Sequence, residues 1–94
     1  MQFAIFCLDK PNNLAKRMEN RPAHLEYLKG FTKEIQLAGP LLADDGQTMA
    51  GSLFILDVAD RAAAEAFSAG DPYRINGVFG SVEIRAFRKT LPAT

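Results

Sequence analysis

The chain is 94 residues long, enough for one small domain spanning 1–94 and too short for a separate cofactor-binding domain. Hydrophobic residues at 48% and charged residues at 23% exclude a disordered chain, and 11 basic against 11 acidic residues exclude a nucleic-acid partner held by phosphate neutralisation. A single cysteine, Cys7, and a single histidine, His24, exclude an internal disulfide, a multi-cysteine zinc site and histidine-pair metal motifs, so no metal is expected.

Phe3 to Leu8 is a short apolar run, read as a strand. Asp9 and Lys10 interrupt it too early for a secretory leader. No apolar run approaches the roughly 18 residues that span a bilayer, so a cytoplasmic protein with no membrane partner is expected. Asp9-Lys10-Pro11-Asn12-Asn13 is turn chemistry. A helical stretch begins near Leu14 and is expected to be interrupted near Pro22, with the main helix over Arg21–Leu37 and the proline in its first turn. Ala38-Gly39-Pro40 ends that helix and leads into a short strand, Ala38–Ala43. Asp44-Asp45-Gly46-Gln47 is a turn and Gly51–Val58 the third strand. Asp60 is placed to cap a helix over Ala62–Ser68 that Gly70 closes. Asp71-Pro72 opens a short helical turn ending near Gly77, and Ser81–Arg88 is the last strand. The order βαββαβ predicts an α+β, ferredoxin-like domain: a four-stranded antiparallel sheet with two main helices on one face.

Two strands are apolar on both sides. Phe3, Ile5 and Cys7 point one way in the first, and Ala4, Phe6 and Leu8 the other. Leu53 and Ile55 oppose Phe54, Leu56 and Val58 in the third. Two helices cover one face of such a sheet, so the other needs a partner, and a second copy is the simplest one. A homodimer with sheets packed face to face, or a higher oligomer built on it, is expected; the alternative is an outer face whose Phe and Leu are simply exposed.

His24 is the first candidate for chemistry. Leu28, Phe31 and Ile35 lie four, seven and eleven positions further on and share its helical face. It is therefore either a core histidine satisfied by one hydrogen bond or a general acid/base, for which imidazole is suited near neutrality. If helix phase survives Pro22, Arg17 and Arg21 flank the same face. They would grip a carboxylate bidentately or pair with Glu19, Glu26 or Asp71. Asp71 before Pro72 reads as a helix cap, and its carboxylate could also orient His24 or shuttle a proton, one oxygen capping while the other faces a cleft. Tyr73 could line that cleft. Gly51-Ser52 offers close approach and a hydroxyl for an anion, and Gly39-Pro40 reads first as helix-stop chemistry. Cys7 is core rather than nucleophile. No glycine-rich phosphate loop, nucleotide fingerprint or nucleophile elbow occurs, so no cofactor is expected.

Taken in order, Arg17, Arg21-Pro22-Ala23-His24-Leu25, Ala38-Gly39-Pro40, Gly51-Ser52-Leu53, Asp71-Pro72-Tyr73 and Gly77-Val78-Phe79 resemble the YCII-related (YciI-like) family over nearly the whole chain. Ala86 departs from it, where relatives often carry a proline. The resemblance implies a ferredoxin-like fold that dimerises into an α+β barrel, with a cleft holding a histidine and an aspartate, here His24 and Asp71, and with Ser52 and Tyr73 lining it. The wider group includes isomerases, lyases and cofactor-free oxygenases. On this footing His24 and Asp71 form a catalytic pair moving a proton on a small anionic organic acid, in a lyase-, dehydrohalogenase- or isomerase-like reaction. Arg21, Ser52, Tyr73 and the backbone near Gly39 hold the substrate. The alternative is a non-catalytic dimeric module binding a small metabolite or a protein.

Overall fold

The computed structural model describes residues 1–93. Thr94, the last residue of the expected 1–94 domain, lies outside them. The elements are β1 (Gln2–Asp9), α1 (Leu14–Leu28), a 3-10 turn (Lys29–Phe31), β2 (Ile35–Leu42), β3 (Met49–Asp57), α2 (Arg61–Gly70), α3 (Pro72–Ile75) and β4 (Phe79–Phe87). The strands form one antiparallel sheet in the order β2-β3-β1-β4, which is the ferredoxin-like arrangement.

The helical segment departs from the expected one. α1 begins at Leu14 and runs without a break through Pro22. The proline removes one backbone donor, but Met18 and Pro22 both lie on the exposed side, where water can serve the released carbonyl. The helix ends at Leu28, nine residues before the expected Leu37. Phe31 keeps the helical spacing because the 3-10 turn still aims it at the core, against Tyr27 and Phe67. Ile35 and Leu37 already belong to β2, which therefore starts three residues before the expected Ala38. Gly39-Pro40 accordingly lies inside a strand and stops no helix. The proline is tolerated because β2 is an edge strand.

Register sorts the side chains. Phe3, Ile5 and Cys7 of β1, Ser52, Phe54 and Leu56 of β3, and Ile84 of β4 are buried, and they share the face that Ala64, Phe67 and Tyr73 pack against. The other face carries Ala4, Phe6, Leu8, Leu53, Ile55, Leu37 and Phe87, with Phe6 43% and Leu37 54% exposed. Both faces are apolar, as the alternation predicts, and helices cover only one.

The expected caps form. Asp60 accepts the Ala63 N–H at 2.9 Å, and Asp71 accepts the Tyr73 N–H at 3.0 Å. Asn13, by contrast, caps nothing with its side chain. Its Nδ2 donates to the Gly77 and Val78 carbonyls at 3.3 and 3.0 Å, tying the start of α1 to the loop after α3. At the far end the Tyr27 hydroxyl donates to the Phe67 carbonyl at 3.0 Å. A side chain at Gly70 would collide with that hydroxyl, so glycine is what lets α1 lie this close to the α2–α3 junction. No helix among the described residues is long and apolar enough to cross a membrane.

Candidate active site

α1 lies along the sheet so that His24, two turns beyond Arg17, faces Asp71 at the start of α3. The two residues are 47 positions apart in sequence, yet His24 Nδ1 is 2.8 Å from Asp71 Oδ1. Both are buried, at 6% and 1% exposure. Against an ionised carboxylate, which only accepts, a neutral ring in this contact would carry its hydrogen on Nδ1 and leave the Nε2 lone pair free. The Tyr73 ring stacks on the imidazole at 3.9 Å and 13°, and the Phe54 edge lies 6.1 Å away. These rings and the Asp71 contact fix the imidazole plane. Capping and orienting share one oxygen: Asp71 Oδ1 receives both the Tyr73 N–H and His24, while Oδ2 is buried without a hydrogen-bond partner. The expected division between two oxygens is therefore corrected.

A second polar group sits beside the first. Arg17 is 2% exposed. Its Nη1 donates to both carboxylate oxygens of Asp9 at 2.9 and 3.2 Å, and its Nη2 donates to Ser52 Oγ at 2.8 Å. Its Cζ lies 4.5 Å from the centre of the Tyr73 ring, a cation–π contact. Arg17 Nε is buried without a partner. Burial pushes the Asp9 carboxyl up from its ordinary value, and the Arg17 guanidinium pulls it back. Burial likewise raises the Tyr73 hydroxyl, opposed by Arg17 and Arg21. Cys7, beneath the helices, is pushed up to about 12, first by burial and then by the Asp71 carboxylate. It stays a thiol, in keeping with a core role.

These groups front a cleft of about 210 Å³ between α1 and the β2–β3 side of the sheet. Arg17, Arg21, His24, Ser52 and Tyr73 supply its polar wall, and Leu25, Leu28, Pro40, Met49 and Phe54 its apolar one. The volume is below the roughly 300–1,000 Å³ of pockets that take drug-sized molecules, so it suits a ligand of single-ring size. Among the described residues no three His, Cys, Asp or Glu side chains are placed to hold a metal ion.

The chain matches the YCII-related domain over residues 1–88. It belongs to that family. Protein YciI of Escherichia coli O6:H1 is 35% identical, covering 95% of this chain and 98% of its own. A Haemophilus influenzae protein is 36% identical over the same shares. Among solved structures, the 5-chloro-2-hydroxyhydroquinone dehydrochlorinase TftG of Burkholderia phenoliruptrix AC1100, in complex with 2,5-dihydroxybenzoquinone, superposes with a TM-score of 0.86 at 30% identity, covering 94% of each chain. Rv0793 of Mycobacterium tuberculosis, at 12% identity, covers 97% of this chain and 99% of its own with a TM-score of 0.57 and shares the fold alone.

For this YCII-related chain, the structure brings His24, Asp71, Arg21, Ser52, Tyr73 and Gly39 to one place: His24 bonds Asp71, and the other four line the same cleft. Arg21 is exposed at its mouth and has no ion-pair partner among the described residues. Gly51 does permit close approach, but of backbone rather than ligand: a side chain there would strike the Cys7 carbonyl of the neighbouring strand. The structure pairs Arg17 with Asp9, whereas the sequence pattern points Arg17 to Glu19, Glu26, Asp71 or a substrate and Asp9 to a turn. The available cue was a carboxylate ending an apolar strand eight residues before an arginine on the inner helix stripe.

Proposed function

We propose that this chain is a small acid/base enzyme of lyase or isomerase type, in which His24 Nε2 takes a proton from a small oxygen-bearing organic acid or phenol. The observation that carries the reading is the 2.8 Å contact of His24 Nδ1 with Asp71 Oδ1 beside the cleft. Asp71 holds the tautomer that leaves Nε2 basic and stabilises the imidazolium once the proton arrives. In an elimination, the electrons of the broken bond to hydrogen form the new double bond and the leaving group departs with its own bonding pair. In an isomerisation, the imidazolium returns the proton to a different atom. Neither route consumes an oxidant. Ser52 and the backbone near Gly39 hold the anionic oxygen, and the exposed Arg21 attracts it at the cleft mouth. The likeness to TftG, a dehydrochlorinase bound to a hydroxylated quinone, supports the elimination and a flat, oxygenated ring as ligand.

The functional unit in this reading is a homodimer. Its support is the uncovered sheet face, where Phe6, Leu8, Leu37 and Phe87 expose large apolar side chains.

The test is turnover. Hydroxylated chloroaromatics are screened for chloride release, and small acids for proton exchange in deuterated water. On whichever compound reacts, His24→Ala should lower turnover roughly 100- to 10,000-fold, the range for a lost general base. His24→Gln should fold and be equally inactive. Turnover unchanged in His24→Ala would end the reading.

A further inference from the structure

A serine hydroxyl has one hydrogen to donate and two lone pairs. At Ser52 one lone pair is taken by the Arg17 Nη2–H at 2.8 Å, and no protein acceptor for its own hydrogen occurs among the described residues. The side chain that sets this arrangement is an expensive one to bury. A guanidinium at 2% exposure costs several kcal/mol unless it is paired and hydrogen-bonded. Apolar side chains of similar size usually hold a core as well as such a pair does. Asp9 neutralises Arg17 and fixes its fork, and Tyr73 covers it. Arg17, Ser52 and Tyr73 all face the cleft that His24 fronts.

We propose that Arg17 is a positioning residue that biases Ser52 towards donating its hydrogen bond, so that the cleft prefers ligands presenting an acceptor oxygen — enolate, phenolate, quinone carbonyl or carboxylate — at that corner. The guanidinium occupies one of the two lone pairs of Ser52 Oγ, and its charge polarises the O–H towards the ligand and weakens the remaining lone pair as an acceptor. Ligands with an ammonium or N–H at that position are disfavoured, because only the weakened second lone pair is left to receive them. The proposal rests on the reading of the cleft as a site for small oxygenated molecules, and it adds how that site chooses among them. Arg21 supplies charge at the mouth, and the Arg17–Ser52 pair supplies direction inside.

The experiment uses 2,5-dihydroxybenzoquinone, a coloured dianion near neutral pH, as the probe. Affinity is read by calorimetry, and hydrogen bonding to the ring oxygens by the shift of its visible band on binding. Asp9→Asn is the background for Arg17→Met, so that no carboxylate is left buried and unpaired. Ser52→Ala should weaken binding roughly 10- to 100-fold, as expected for one lost hydrogen bond to a charged acceptor, and should remove part of the band shift. Arg17→Met should remove the same part of the shift with an intact fold by circular dichroism. Combining it with Ser52→Ala should cost nothing more. A merely structural arginine would leave the band of the bound probe unchanged, and that result would overturn the proposal. Additive losses would mean that Arg17 touches the ligand itself, for which its unpartnered Nε is available, and would overturn the positioning role. Should the wild type bind the probe while Ser52→Ala binds equally well, the inference falls and the proton-transfer reading stands. Should the wild type not bind at all, the oxygenated-ligand reading falls and takes the inference with it.

Discussion

Under the helices the sheet shelters polar groups, with Arg17 on Asp9 and Ser52, and His24 on Asp71. On the side without helices it presents Phe6, Leu8, Leu37 and Phe87 to the surroundings. A small water-soluble domain built for stability alone would reverse this, since buried ions are weak stabilisers and exposed apolar faces invite association. The difference assigns the two faces different tasks. The covered face keeps the imidazole, the guanidinium and two carboxylates in fixed geometry beside a cleft, and the uncovered face is where the proposed second copy would pack.

The two faces are told apart most forcefully at neighbouring positions of β1 and β3, where Phe54 pairs with Ile5 and Phe6 with Leu53. Phe54 lies under the helices against His24 and Phe67. Phe54→Ala should cost about 3–5 kcal/mol in denaturant melts. Phe6, on the opposite face, should behave otherwise: Phe6→Glu should leave the protomer folded and turn a dimer into a monomer by sedimentation at micromolar concentration. If the wild type already sediments as a monomer, the division of tasks is wrong on that side.

Cys7 sharpens the picture of the covered face through pH. Its thiol ionises at 9.0 in its ordinary state and is pushed up to about 12 here by burial and by the Asp71 carboxylate. Below pH 9 it is protonated folded or unfolded. Above that the unfolded chain ionises first, so stability is lost as pH rises from 9 towards 12. By pH 10 the wild type should lose about 1 kcal/mol more than Cys7→Ala, read from urea midpoints at pH 8 and pH 10.

The smallest effect belongs to the cleft mouth. Arg21 is exposed, so its charge acts through water. Arg21→Ala should weaken binding of a small anion roughly two- to fivefold, the scale of exposed ion pairs, and the loss should fade as salt is raised. A loss as large as that of a buried donor would move Arg21 into direct contact with the ligand.

Much of this was legible in the sequence, for local reasons. The two-sided apolar alternation of Phe3 to Leu8 and Leu53 to Val58 declared both faces. Asp60 and Asp71 declared their caps, and His24 declared the inner stripe of its helix. The helix end was hidden because Leu28, Phe31 and Ile35 keep helical spacing although they belong to a helix, a 3-10 turn and a strand. Pro22 looked like a boundary because its cost depends on whether the released carbonyl meets water, which only the packing decides. The Arg17–Asp9–Ser52 group was hidden because it joins three elements, and residue types alone leave Arg17 a surface charge or carboxylate grip, Asp9 a turn, and Ser52 a strand start or anion-binding hydroxyl. The sharing of Asp71 Oδ1 between a cap and an imidazole is likewise geometry that residue types do not express.

In the proposed mechanism Asp71 fixes the proton of His24 on Nδ1 and leaves Nε2 as a base in the cleft. With one histidine in the chain, a nitrogen-15 NMR spectrum of the imidazole is free of overlap. At a pH where the ring is neutral, the account predicts a protonated Nδ1 and an unprotonated Nε2. Asp71→Ala should shift the balance towards Nε2–H. A wild-type spectrum with the hydrogen on Nε2 and a bare Nδ1 would contradict the account, because the ring would then have no lone pair to offer a substrate.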